Sequence, residues 1–328
     1  LGSTVKNTFK SVQAHGLLVL NKSPGPTSTH CLEKIKRGLG QKKIGHAGTL
    51  DPLAQGVLLV LLGQATKIAS YLMEGRKQYQ GLLRLGVETD TYDVLGKVVA
   101  VRDAAHVMPE RAGAAIVQWL DLREQEVPPY SAAKHKGRPL YALSRSGQDV
   151  PVKRKLIDIY QAEVLHMDLP LVRFRVECSA GAYIRSLVHS LGIRLQCGAV
   201  LEELIRERSH PFTLDQAHDL ERVLGEPESL GEKVIPLAAA LSQYPSYCLS
   251  EDLARKVRQG ARLQRELFGP DSGLMQAGSR ALFLDAQEQP LALVELRDVG
   301  GRLQWTVLRG LFSGPLQDPD RLRTPLIS

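Results

Sequence analysis

Cysteine is scarce. There are four in 328 residues, Cys31, Cys178, Cys197 and Cys248, and no two are close enough to form a CxxC metal or redox motif. Such usage points to reduced thiols in a cytoplasmic protein. Long apolar runs are also missing: the longest, Val57 to Leu62, is far too short to span a bilayer, and residues 1–10 hold no apolar stretch of the kind a secretory signal needs. No GxxxxGK[ST] phosphate loop, HExxH pair or GxSxG elbow occurs, which removes support for nucleotide hydrolysis, zinc proteolysis and serine-esterase chemistry. No cofactor signature and no metal-ligand spacing is visible, and no internal repeat.

What is present is ordinary globular composition, 43% hydrophobic and 23% charged, over a length that suits one large domain or two. The charge is unevenly placed. Of a net +7, residues 1–50 alone carry +7, with Glu33 their one acid, and residues 134–155 carry +6 against the single Asp149, so the remainder is net acidic. Two concentrated basic stretches fit a polyanionic partner, phosphate being the obvious anion.

The patterning predicts strands at residues 15–20, 57–62 and 78–87, and paired strands at 156–167 and 171–178. Ser28 is placed to cap a helix running to Leu39, with Leu32, Ile35 and Leu39 on one face. Further helices are expected at 65–73 and 109–121. Residues 182–195 carry Ile184, Leu187, Val188, Leu191 and Leu195 at helical spacing, and a short helix is expected over 199–206. After Pro236 the texture changes: 237–265 reads as helical, followed by short strands at 281–285, 291–295 and 303–308. The mixture predicts an α+β fold with a domain boundary near Pro245.

One segment concentrates chemistry: Gly45-His46-Ala47-Gly48-Thr49-Leu50-Asp51-Pro52-Leu53-Ala54-Gln55-Gly56. Three glycines and a proline impose an unusual backbone path around one carboxylate and one imidazole. It lies between the basic pair Lys42-Lys43 and an apolar strand. Local physics leaves two readings open. Asp51 is either a turn cap before Pro52 or a catalytic carboxylate on a loop held by a rigid scaffold.

This string strongly resembles the signature of the TruB family of tRNA pseudouridine synthases. Other blocks resemble that family in the same order across residues 16–212. They are Asn21-Lys22-Ser23-Pro24-Gly25-Pro26-Thr27-Ser28, Lys77-Gln78-Tyr79-Gln80 with Thr89-Asp90-Thr91-Tyr92-Asp93, Pro128-Pro129-Tyr130-Ser131-Ala132 with Lys134 and Gly137, and Cys178-Ser179-Ala180-Gly181-Ala182-Tyr183-Ile184-Arg185. The resemblance implies an α+β catalytic domain over 15–245 on a mixed, mainly antiparallel sheet, after a flexible lead-in at 1–14. A small β-rich PUA-like RNA-binding domain would follow over 246–328.

It also implies roles. Asp51 would be the essential catalytic carboxylate, either attacking C1′ or deprotonating C2′ of the target uridine. Arg185 would pair with it, Tyr79 would stack on the flipped uracil, and Tyr183 and Leu204 would line the pocket. His46 would enter the space left by the departing base. Lys22, Lys42, Lys43, Lys134, Lys136 and Arg138 are candidates for RNA-backbone contacts. The implied partner is the T arm of tRNA and the implied target uridine 55, with no cofactor, no metal, no membrane and a monomeric, cytoplasmic enzyme. The chain departs from the family pattern at Ser23, Ile205, Glu207 and His210. A guide-RNA-dependent relative shares the catalytic motifs, and a non-catalytic RNA-binding protein is the alternative from another class; Asp51 and Arg185 are both in place for catalysis.

Overall fold

The computed structural model describes residues 13–146, 148, 151–268 and 275–311. The expected lead-in at 1–14 therefore lies outside the described residues except for Gln13 and Ala14. These two are tied to the turn after the first helix: Gln13 Nε2 donates to the Gly40 carbonyl and the Ala14 amide to Gln41.

The central sheet is built on Gly16–Lys22 (β1), Gln55–Leu62 (β3) and Lys77–Leu85 (β4), with Ile44–His46 (β2) flanking β3. Ile159–Asp168 (β5), Leu171–Cys178 (β6), Ala199–Ser209 (β7) and His218–Asp219 (β8) complete its main path. The strand order is β5-β6-β4-β7-β3-β1-β8. Most pairs are antiparallel; β7 with β3 and β1 with β8 are parallel. β3 is a continuous apolar run because both its faces are covered. Leu58, Val60 and Leu62 enter the larger core, beneath the helix Ser28–Gly38 (α1), the helix Pro109–Val117 (α2) and the helix Ile184–Leu195 (α3). Val57, Leu59 and Leu61 point the other way, against Leu237, Leu241, Leu282, Leu284 and Leu311.

The C-terminal part is β-rich. Arg280–Leu284 (β9), Pro290–Val299 (β10) and Arg302–Gly310 (β11) form a sheet flanked by the short strands Ser246–Cys248 and Leu263–Gln264. Its own core holds Phe283 and Trp305. It is joined to the rest through the apolar contact above, an Arg280–Glu74 ion pair at 2.7 Å and Lys67 donating to the Gly310 carbonyl. Among the described residues no helix is long and apolar enough to cross a membrane.

Two expectations fail for physical reasons. Residues 199–206 form no helix; they belong to β7, an interior strand between β4 and β3. Its acids pair across the sheet, Glu202 with Arg84, Glu203 with Arg173 and Glu207 with Arg175. The helical reading of 237–265 holds only for Leu237–Ala240 and Glu251–Arg258, with strands between and after them. The cap of α1 also differs: Thr27 accepts from the His30 amide, and Ser28 turns inward.

Candidate active site

The segment Ala47–Ala54 links β2 to β3 and makes almost no regular secondary structure, so its polar backbone must find partners elsewhere. It finds them in three buried side chains. Ser28 Oγ accepts from the Leu50 amide at 2.9 Å and donates to the Leu50 carbonyl at 3.0 Å. Lys22, fully buried at the end of β1, donates to the carbonyls of Ala54 at 2.7 Å, Ser23 at 2.9 Å and Pro52 at 3.4 Å. Arg206, 1% exposed on β7, donates to Val57 at 2.6 Å, Gly48 at 3.1 Å and Thr49 at 3.4 Å. Gly56 permits this crossing. Its φ is +105°, and a Cβ there would stand 2.4 Å from the Arg206 carbonyl oxygen.

The loop fixed in this way presents Asp51 to the N-terminal turn of α3. Arg185 Nε donates to Asp51 Oδ2 at 2.8 Å; the arginine side chain is 4% exposed and the aspartate 35%. The guanidinium is held on its other edges by the carbonyls of Thr91 at 2.7 Å and Tyr130 at 3.1 Å. It also stands 3.6 Å from the buried carboxylate of Asp93. A fully engaged, charge-bearing donor beside a half-exposed carboxylate fixes the direction of Asp51.

Of the remaining pocket candidates, Tyr79 and Tyr183 lie within electrostatic reach of Asp51. Tyr79 is buried in β4 opposite Arg206 in β7. Burial pushes its phenol up, against the lowering pull of the Arg206 guanidinium. Leu204, opposite Gly81, shares the same core cluster. Tyr183 is the N-cap residue of α3, its amide and carbonyl both bonded to the buried Gln125 side chain. Burial raises the Tyr183 phenol, with Asp51 and Arg185 both within electrostatic reach. Burial, with Arg206 second, lowers the pKa of His46 from its ordinary 6.5, so the imidazole is neutral at pH 7, and its Nδ1 has no hydrogen-bond partner among the described residues.

The basic candidates separate. Lys22 is not on the surface: its ammonium is spent on loop carbonyls, and burial lowers its pKa to about 8. Its place is inside the scaffold, which corrects the expectation of a backbone contact. Lys42 and Lys43 are exposed but lie by the far end of β3, where the Gly63 amide donates to Lys43. At about 3.3 Å per strand residue that puts them roughly 20 Å from the Asp51 end. Lys134, Lys136 and Arg138 are exposed on the two-strand ribbon Lys134–His135 and Arg138–Pro139. That ribbon follows directly on Tyr130, whose carbonyl holds Arg185.

Sequence reasoning missed Arg206, Ser28 as a loop clamp, and Asp93. The signal for Arg206 was an arginine at an inward position of an apolar-flanked strand, concealed by the helical reading. Of the departures from the family pattern, Glu207 is taken up by Arg175 at 2.9 Å on the sheet, away from the loop. The Ser23 carbonyl accepts from Lys22, so the extra residue is absorbed into the clamp.

Residues 36–184 match the N-terminal domain of the TruB family of pseudouridylate synthases. The chain is 58% identical over 305 residues to tRNA pseudouridine synthase B of Nitratidesulfovibrio vulgaris strain Hildenborough, covering 92% of this chain and 99% of the relative. It is 56% identical to tRNA pseudouridine synthase B of Oleidesulfovibrio alaskensis, covering 93% and 98%. Among solved structures it is similar to a chain of an H/ACA ribonucleoprotein bound to a substrate RNA containing 2′-deoxyuridine. That match has a TM-score of 0.65 and 25% identity, and covers 91% of this chain and 85% of the other.

Proposed function

Since the chain belongs to the TruB family of pseudouridylate synthases, we propose that it isomerises uridine 55 in the T loop of tRNA to pseudouridine, acting alone, with Asp51 as the catalytic carboxylate. The single observation that carries this reading is the Asp51–Arg185 contact at 2.8 Å, on a loop whose carbonyls are held by Lys22, Ser28 and Arg206.

The reaction breaks the uridine N1–C1′ bond, turns the base and forms a C5–C1′ bond, and the C5 proton leaves to water while N1 takes one up. It is redox-neutral, and everything it asks of the protein is positioning and charge. Asp51 either bonds to C1′ as the base departs or takes the C2′ proton to give a glycal; both require the ionised carboxylate that Arg185 holds in direction. Tyr79 and Leu204 supply a face and a wall for uracil, Tyr183 borders it, and neutral His46 offers a ring nitrogen without adding charge. The base has to leave its stack to reach Asp51, at a cost of about a few kcal/mol. Phosphate contacts to Lys134, Lys136 and Arg138 beside the site, and to Lys42 and Lys43 farther away, offset that cost. In this reading the catalytic part runs to residue 245, and the β-rich part from 246 is a PUA-like domain that adds RNA contacts. The enzyme works as a monomer in the cytoplasm.

The test is a T-arm transcript carrying tritium at uridine C5, incubated with the purified chain alone. Wild-type release of tritium, with none from Asp51→Asn, is the expected result. Binding without release by wild type overturns the stand-alone reading in favour of a guided particle or a binding-only protein.

A further inference from the structure

Arg185 and His189 lie one turn apart on α3, four residues from one another, so their side chains share a face. A single short segment grips both. Between the strands Val87–Thr89 and Val98–Val101, the chain passes across α3. The Thr91 carbonyl accepts from Arg185 Nη1 at 2.7 Å. The next residue, Tyr92, lays its ring on the His189 imidazole, with centroids 3.8 Å apart and planes within 7°. The residue after that, Asp93, brings its carboxylate to 3.6 Å from Arg185 Nε.

Tyr92 reaches His189 from a backbone φ of +66°, a left-handed conformation disfavoured for any residue with a side chain. The conformation persists because the surroundings over-determine it. The Tyr92 carbonyl accepts from Leu201 of β7, and the Val94 amide donates back to the Leu201 carbonyl. The Thr89 hydroxyl closes on the Asp93 carbonyl, and Thr91 Oγ1 donates to Asp93 Oδ1. On the α3 side, the ring stack and the Arg185 contacts are what fasten the segment. Burial lowers His189 and raises Tyr92, with Glu88 and Glu126 near both rings, so two neutral rings face each other near pH 7.

We propose that the Tyr92–His189 stack is a positioning device for the reaction: it locks the Thr91–Asp93 turn onto α3 and so fixes the orientation in which Arg185 meets Asp51. Neither ring is a catalytic residue here; both act through the Thr91 carbonyl. The inference rests on the proposed function for its kinetic consequence but not for its geometry. A guanidinium free to rotate about its stem would still neutralise Asp51 on average while losing its fixed direction, a loss that falls on the chemical step and not on RNA binding.

The experiment uses the full chain with four variants. Tyr92→Phe and His189→Phe keep a flat ring; Tyr92→Gly and His189→Ala remove one, the glycine also relieving the left-handed backbone. Two readouts are taken: steady-state kinetics on the T-arm transcript, and the Arg185 Nε–H resonance of the RNA-free protein, assigned by its loss in Arg185→Lys. For Tyr92→Gly and His189→Ala we expect kcat to fall about tenfold or more with KM within about twofold of wild type. Their Arg185 Nε–H signal should broaden into solvent exchange. Both ring-keeping variants should retain the rate and the signal. An unchanged kcat and an unmoved Nε–H signal in the ring-removing variants overturn the proposal, as does an equal loss in all four. If wild type itself makes no pseudouridine, the functional reading fails, and the resonance alone still decides whether the stack orients Arg185.

Discussion

One guanidinium, that of Arg185, serves two carboxylates of different exposure: it donates to half-exposed Asp51 at 2.8 Å and lies 3.6 Å from buried Asp93. Burial pushes the Asp93 carboxyl up, and the neighbouring charge of Asp51 pushes in the same direction. Asp93 is also spent locally, accepting from Thr91 Oγ1 and the Leu95 amide. The asymmetry leaves Asp51 as the carboxylate that is both directed by Arg185 and open to a substrate. A lysine at 185 would keep the charge but could not reach Asp51, Thr91 and Tyr130 together, because an ammonium lacks the planar fork. Arg185→Lys is therefore expected to lower kcat by about a hundredfold or more, as loss of an oriented charge-stabilising donor does. RNA affinity, measured by filter binding on the same transcript, should stay near that of wild type.

The burial of Lys22 separates a scaffold cation from the cations proposed to meet RNA, and salt dependence can tell them apart. A lysine that contacts phosphate contributes to the slope of log affinity against log salt, by about 0.7 for a single strand and 0.9 for a duplex. Lys22→Met should leave that slope unchanged while lowering kcat, since the carbonyls of Pro52 and Ala54 lose a donor next to Asp51. Replacing Lys134 and Lys136 by alanine should shallow the slope with little effect on kcat at saturating RNA.

The candidate-site motifs were legible because each is a short run whose residues stay together in the fold: the Asp51 loop, the Tyr79 strand and the Arg185 turn. The apolar run at 57–62 and the helical spacing of Leu187, Val188, Leu191 and Leu195 were legible for the same reason, since one element buries them all. Elements defined by distant partners were not. The acids of β7 look helical in isolation and are accounted for only by Arg84 on the adjacent β4 and by Arg173 and Arg175 on β6, one strand beyond it. Lys22 reads as an RNA-facing cation and Arg206 as part of a helix, because the six carbonyls that hold them, four from the loop with those of Ser23 and Val57, come together only in the fold.

Thr27 caps α1, the task the sequence assigns to Ser28, while Ser28 clamps Leu50 instead, and stability measurements resolve the two. Thr27 accepts from the His30 amide at an exposed helix start, so Thr27→Ala should cost about 1 kcal/mol. Ser28 is buried and bonded twice to Leu50, so Ser28→Ala leaves a donor and an acceptor unmet and should cost about 1–3 kcal/mol for each orphaned group. Only Ser28→Ala should also slow catalysis, because Leu50 directly precedes Asp51. Urea unfolding gives the first comparison and tritium release the second.

Lys22 also gives the fold a pH signature. Burial dominates its shift and lowers the pKa to about 8, against the raising effects of Cys31 and Asp51. In the unfolded chain it titrates near the ordinary value of about 10.4. Between these two values the unfolded state binds the extra proton, so this group's contribution to folding stability grows as pH rises through the window. It is fully present above about 10.4 and is lost as pH falls through about 8. Lys22→Met removes the titration altogether. Urea midpoints of wild type and Lys22→Met, compared from pH 7.5 to about 10, should therefore diverge in favour of wild type as pH increases. Parallel curves would mean that the buried ammonium titrates as it does in water. In that case the Lys22 clamp on the Asp51 loop would have to be open to solvent, contrary to its three carbonyl contacts.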